Sequence, residues 1–85
     1  MASMNPELKN KLEQNPNAVV NLIVRTMDDP QAHLAEVQAR GFEVRHTYSL
    51  ISAMAVQGKA SASMSLANMP WVLSLEEDKT VHTMS

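Results

Sequence analysis

A short segment near the N-terminus places the strongest limit on the fold. Ala18 to Thr26 is rich in aliphatic residues at both odd and even positions, namely Val19, Val20, Leu22, Ile23 and Val24. Such residues favour β-strands, and successive side chains of a strand point to opposite faces of its sheet. A strand that is apolar on both faces lies centrally, in a sheet whose second face is also covered. The segment therefore predicts a central strand whose second face contacts something.

A helix is predicted directly after this strand. Asp29 is a suitable N-cap, and Pro30 suits the first helical position because the N–H that proline lacks has no partner there. Pro30, Leu34, Val37 and Gly41 recur at helical spacing, and glycine readily adopts the left-handed conformation that closes a helix. A second helix is predicted from Ala60 to Asn68, where a weak apolar stripe ends before a proline.

Three further segments have the pattern of strands. Phe42 to Tyr48 alternates strictly between apolar or aromatic and polar residues, with His46 on the apolar parity. Ile51 to Gln57 is apolar with small residues and is expected to end at Gly58, and Trp71 to Glu76 forms the last strand. Trp71 and Tyr48 are expected in the core, and Met54, Met64 and Met69 are expected to fill gaps in it.

The order strand, helix, strand, strand, helix, strand is that of the split β-α-β, or ferredoxin-like, α+β fold. It predicts a four-stranded antiparallel sheet in residues 18–78, with two helices on one face and the other face uncovered. Residues 1–17 are expected to be an N-terminal extension, either flexible or a short polar helix from Asn5 to Gln14, which Pro16 would end. Residues 79–85 are expected to form an extended tail.

Composition excludes several classes of function. The 85-residue chain has a net charge of −2, so it lacks the basic surface that nucleic-acid binding requires. It has no cysteine, which excludes disulfides, thiol catalysis and thiolate metal sites. The N-terminus lacks the apolar core of a signal peptide and no apolar run is long enough for a membrane span, which favours a cytoplasmic protein without membrane contact. The three histidines lack metal-ligand spacing, and neither a metal nor another cofactor is expected.

The chain resembles the propeptides of subtilisin-like serine proteases and the free-standing intracellular inhibitors built on the same domain. The similarity covers roughly Val20 to Met84 and depends on the order and spacing of several segments. These are Val20 to Val24, the helix after Asp29, Gly41 to Val44 followed by Tyr48, Ile51 to Val56, Met69 to Asp78, and the tail from Val81 to Met84.

The resemblance implies a mechanism of inhibition. The uncovered face of the sheet would pack on two surface helices of the protease, and Glu76 and Asp78 would cap the N-termini of those helices. The tail, formed by Val81, His82, Thr83 and Met84, would lie in the substrate cleft like a product. In the preferred register Met84 fills the primary specificity pocket and Val81 the pocket three residues earlier.

The sequence also allows an alternative alignment in which the tail is shifted by one residue in the protease cleft. If the terminal carboxylate sits at the catalytic serine of the protease, Ser85 takes the primary pocket and His82 the distal one. Because this chain stops one residue past the expected cleavage junction, it is expected to inhibit in trans, with a role in assisting protease folding left open. The acidic run at Glu76 is otherwise an ordinary solvated strand end.

Two other classes of function are alternatives to inhibition. An acyl-phosphate hydrolase on this fold would need a glycine-rich anion loop close to an arginine, whereas Gly41 and Gly58 are far apart in the sequence, so the chain is not expected to be an enzyme. A regulatory or dimerisation module could use the uncovered face equally well. The inhibitor is expected to be a monomer when free.

Overall fold

The computed structural model describes residues 3–48 and 50–78. These residues form an α+β domain with a five-stranded mixed sheet. The elements are β1 (Ser3–Met4), α1 (Pro6–Gln14), β2 (Val19–Thr26), α2 (Leu34–Ala39), β3 (Glu43–Tyr48), β4 (Ala53–Lys59), α3 (Ala60–Ala67) and β5 (Val72–Glu77). The expected α+β class is confirmed.

The order of the strands in the sheet is β1-β5-β2-β4-β3. The pairs β2 with β4, β2 with β5 and β3 with β4 are all antiparallel. The short strand β1 pairs with β5 in parallel, with Ser3 opposite Ser74 and Met4 opposite Leu75. The prediction of a purely antiparallel, four-stranded sheet is therefore wrong, because the free edge of β5 offers unpaired backbone groups to the N-terminal chain.

The N-terminal segment forms a regular helix and belongs to the packed domain. The Oδ1 atom of Asn5 accepts a hydrogen bond from the N–H of Glu7 at 2.7 Å, which caps α1. Leu8 and Leu12, one turn apart, are only 3% and 1% exposed and lie in the main hydrophobic core. Residues that the sequence separates as an extension thus contribute to the core.

The helix predicted after Asp29 is divided into two parts. Its first turn, Pro30–His33, is a 3-10 helix capped by Asp29, and α2 covers only Leu34–Ala39. At the junction His33 leaves helical geometry, with φ −117° and ψ 6°. The His33 ring stacks on Trp71 with centroids 4.0 Å apart, and its Nε2 lies 2.7 Å from Oδ1 of Asp28. These contacts from outside the helix fix the residue at which the two parts meet.

Strand β4 is displaced by two residues from its expected position. Ser52 has a φ of 46° and belongs to the preceding turn, so the strand begins at Ala53 rather than Ile51. It continues through Gly58 to Lys59, which contradicts the prediction that Gly58 ends it. A Cβ atom on Gly58 would lie 2.4 Å from the Phe42 ring, so glycine serves a close packing contact inside the strand.

The core lies between the helices and one face of the sheet. Strand β2 contributes Leu22 and Val24, both fully buried, while Val19 on the other parity is 62% exposed. Met54 is fully buried as expected, and the partly buried residues Met64, Met69 and Trp71 pack against the core. In the part of the chain that is described, no helix has the length and apolar character needed to cross a bilayer.

Candidate functional site

The candidate site is the face of the sheet opposite the helices, here called the open face. Among residues 3–48 and 50–78, the helical residues of the hydrophobic core all pack on the other side, so no described helix covers it. Cross-strand pairing places its side chains in three rows: Glu76, Ile23, Ala55 and His46; then Ser74, Arg25, Ala53 and Tyr48; then Asn21, Gln57 and Glu43.

The centre of the open face is a shallow trough along β4. Ala53 and Ala55 are 0% and 5% exposed although they lie outside the hydrophobic core cluster. Longer side chains on the flanking strands cover them, with Ile23 of β2 on one side and Tyr48 of β3 on the other. The rings of His46 and Tyr48 meet edge to face with centroids 4.5 Å apart, which gives the trough an aromatic wall.

The acidic end of β5 is divided between the two faces of the sheet. Glu76 lies opposite Ile23 in the ladder and therefore shares the open face with it. Asp78 has the same parity, and its backbone N–H donates to the carbonyl oxygen of Asn21 at 2.9 Å, which continues the ladder beyond the strand. Glu77 has the opposite parity and forms an ion pair with Lys11 of α1.

This arrangement is one that can recognise a protein surface. Two carboxylates at one corner of an apolar trough can accept hydrogen bonds from the unpaired N–H groups at a helix N-terminus. Within the described part of the chain, no three histidine or acidic side chains are grouped to hold a metal ion. The structure thus provides a surface with an apolar centre and an acidic corner.

No family model matches this chain, and no curated protein matches it significantly. A function is therefore inferred from the residues and their geometry.

The structure describes only part of the site that the sequence predicts. Glu76 is exposed and Asp78 is partly buried, and both lie on the open face, Glu76 opposite Ile23 and Asp78 beside Asn21. The predicted tail residues lie outside the described residues: Val81, His82, Thr83 and Met84.

Sequence reasoning missed several members of the site. In the sequence, Ala53 and Ala55 are distinguished only by their small size. Their place at the centre of the open face follows from the alternation of β4 side chains between the two sides of the sheet. Lys11 was not connected with the acidic strand end, because it is 66 residues distant from Glu77 in sequence. His33 forms a structural contact with Trp71, whereas His46 lies on the open face.

Proposed function

We propose that this chain inhibits a subtilisin-like serine protease. Its open face docks on the protease surface, and its C-terminal tail occupies the substrate cleft in the manner of a product. The four longer strands support this proposal, since their order β5-β2-β4-β3 and antiparallel pairing match a ferredoxin-like arrangement. The catalytic serine, histidine and aspartate belong to the protease.

The observation that carries the proposal is the parity of the acidic run. Glu76 and Asp78 share a face with the apolar trough, while Glu77 turns to the helices and pairs with Lys11. Alternation divides any strand in this way; what supports the proposal is that the face shared by Glu76 and Asp78 is the one with the apolar trough, because capping of partner helices requires carboxylates beside the docking surface. The structure describes the chain as far as Asp78, which lies at this corner, and in the proposal the tail begins there and enters an adjacent cleft.

Two contacts contribute to the binding free energy of such an inhibitor: the docked sheet face and the tail in the cleft. A stable complex of standard size buries about 800 Å² on each partner, which an apolar sheet face can supply more readily than a short peptide. The tail would add main-chain hydrogen bonds to an edge strand of the cleft, together with side chains in pockets. The open face should therefore set most of the affinity, and the tail should direct inhibition to the active site.

The docking role is tested by placing a large charged side chain in the trough. Ala55→Arg puts a guanidinium on the open face, where it prevents close approach of a partner. Ala35→Arg is the matched control, because Ala35 is exposed on α2 and away from that face. We expect Ala55→Arg to raise the inhibition constant against a responsive subtilisin at least tenfold and Ala35→Arg to leave it unchanged. Equal inhibition by both folded variants would contradict docking through the open face.

A regulatory or dimerisation module is the second candidate, and one observation favours it. Leu50 and Ile51, in the turn before β4, are 98% and 51% exposed, and they line a depression with His46, Thr47 and Tyr48 beside the open face. Two copies could bury these side chains together. Sedimentation at several concentrations distinguishes the candidates: a dimer that is lost in Leu50→Ser, with no inhibition of any subtilisin, would favour the module.

A further inference from the structure

The N-terminal helix holds the end of β5 from the helix side of the sheet. Glu77, the last residue of β5, lies opposite Leu22 in the ladder, so its side chain is on the face that the helices cover. There it pairs with the amino group of Lys11, which lies in the last turn of α1. This ion pair joins the two ends of the described chain.

Lys11 extends from a well-anchored helix. Leu8 and Leu12 of α1 are buried in the core, and Asn5 caps the helix start. After the helix, the carbonyl oxygen of Pro16 accepts a hydrogen bond from Ser61 N–H at 2.9 Å, which ties the following loop to α3. Because α1 is fixed to the core and to α3, the side chain of Lys11 can restrain Glu77 although the lysine side chain itself is flexible.

The end of β5 carries several negative charges, which gives the ion pair between Lys11 and Glu77 its importance. Three acids follow one another from Glu76 to Asp78, and Glu7 of α1 lines a groove together with Glu77 of β5. Like charges this close repel one another. By pairing with Glu77, Lys11 offsets part of this repulsion on the helix side of the sheet.

We infer that Lys11 is a positioning residue for inhibition: by holding Glu77 it fixes the direction in which the chain leaves β5 toward the cleft of the protease. This inference rests on the proposed function and extends it to the N-terminal segment. Lys11 lies on the opposite side of the sheet from the trough, so its effect on inhibition passes through Glu77. Because Lys11 and Glu77 are 51% and 24% exposed, the effect should be modest, about two- to fivefold in the inhibition constant.

The test compares Lys11→Met with Lys9→Met in the full chain. Both substitutions remove one positive charge from α1, but Lys9 is exposed and has no ion pair among the described residues. Each is made in the natural sequence and in a Val81→Ala, Met84→Ala background with a weakened tail. We expect Lys11→Met to weaken inhibition two- to fivefold only where the tail is intact, and Lys9→Met to have no effect in either background.

Two further readouts separate positioning from a general loss of stability. The charge-reversed pair Lys11→Glu with Glu77→Lys should recover inhibition that either single change loses. Hydrogen exchange of the free protein should be faster at the Asp78 amide in Lys11→Met than in Lys9→Met. An equal loss of inhibition in both tail backgrounds, or unchanged exchange at Asp78, would overturn the positioning role. If the natural chain inhibits no subtilisin while exchange at Asp78 still responds, the proposed function fails and the restraint on β5 stands.

Discussion

At the scale of single residues, the acidic run at the end of β5 shows how one step along a strand changes the role of a carboxylate. Glu76 and Glu77 are chemically equivalent neighbours, yet one lies on the open face and the other pairs with Lys11 across the helix side. A one-residue shift of register would exchange the two roles. The pairing of Ile23 with Glu76 therefore matters as much to the proposed function as the acidic character itself.

Removing the two open-face charges tests their part in docking. In Glu76→Gln with Asp78→Asn, the side chains keep their shape but attract helix N-termini less strongly. Each charge at a helix end contributes about 0.3–2 kcal/mol, so loss of both should raise the inhibition constant at least about threefold. Glu13→Gln, on the exposed surface of α1, is the charge control. An increase no greater than that of the control would contradict helix capping.

Gly58 gives a residue-scale test of the packing between β4 and Phe42. Because an alanine Cβ would lie 2.4 Å from the Phe42 ring, Gly58→Ala should lower the free energy of unfolding by about 1–3 kcal/mol. Urea denaturation measures the change. In a Phe42→Leu background the same substitution should cost less, because the smaller side chain leaves room. An equal cost in both backgrounds would show that this contact is not the cause.

At the scale of the elements, sequence patterns locate the strands well and their ends less well. β2 was expected from Ala18 to Thr26 and extends over Val19–Thr26, since its aliphatic residues favour a strand in any register. The sequence places the start of β4 two residues too early and predicts one unbroken helix across His33, because both features depend on tertiary contacts. Ser52 accepts a hydrogen bond from Thr26 N–H at 2.8 Å, and His33 stacks on Trp71.

The sequence also does not reveal that the N-terminal helix belongs to the core, because this too depends on tertiary contacts. Leu8 and Leu12 are its two aliphatic residues, and such a narrow stripe on a polar helix gives a weak signal. Its burial depends on packing against α3, far along the chain. The pairing of β1 with β5 is equally hidden from local patterns, because two residues carry no recognisable strand periodicity.

Leu12→Ala tests whether α1 belongs to the folded unit. Leu12 is 1% exposed in the core, so its truncation should lower the free energy of unfolding by about 2–5 kcal/mol. Glu13→Ala, at the adjacent exposed position, should change it by less than about 0.5 kcal/mol. Chemical denaturation followed by circular dichroism compares the two variants. Similar stabilities would mean that the N-terminal segment is a dispensable extension.

At the scale of the whole molecule, the proposal assigns different tasks to the two sides of one sheet. The helix side contains the core and, through Lys11, restrains the end of β5. The other side presents an apolar trough with an acidic corner. The sequence predicted the uncovered face from the order of its elements. It could not predict the trough, because that feature arises only when β2 and β3 flank β4.

The measurement that tests the central claim most directly is inhibition of a panel of subtilisin-like proteases by the full chain and by a chain lacking Thr83 to Ser85. Loss of an apolar group from a specificity pocket is worth about 1–3 kcal/mol, and main-chain contacts are lost as well. We predict that the full chain inhibits at least one protease and that the shortened chain has an inhibition constant at least tenfold higher, with an unchanged circular dichroism spectrum. Equal inhibition by the two chains, or none by the full chain, would contradict the account.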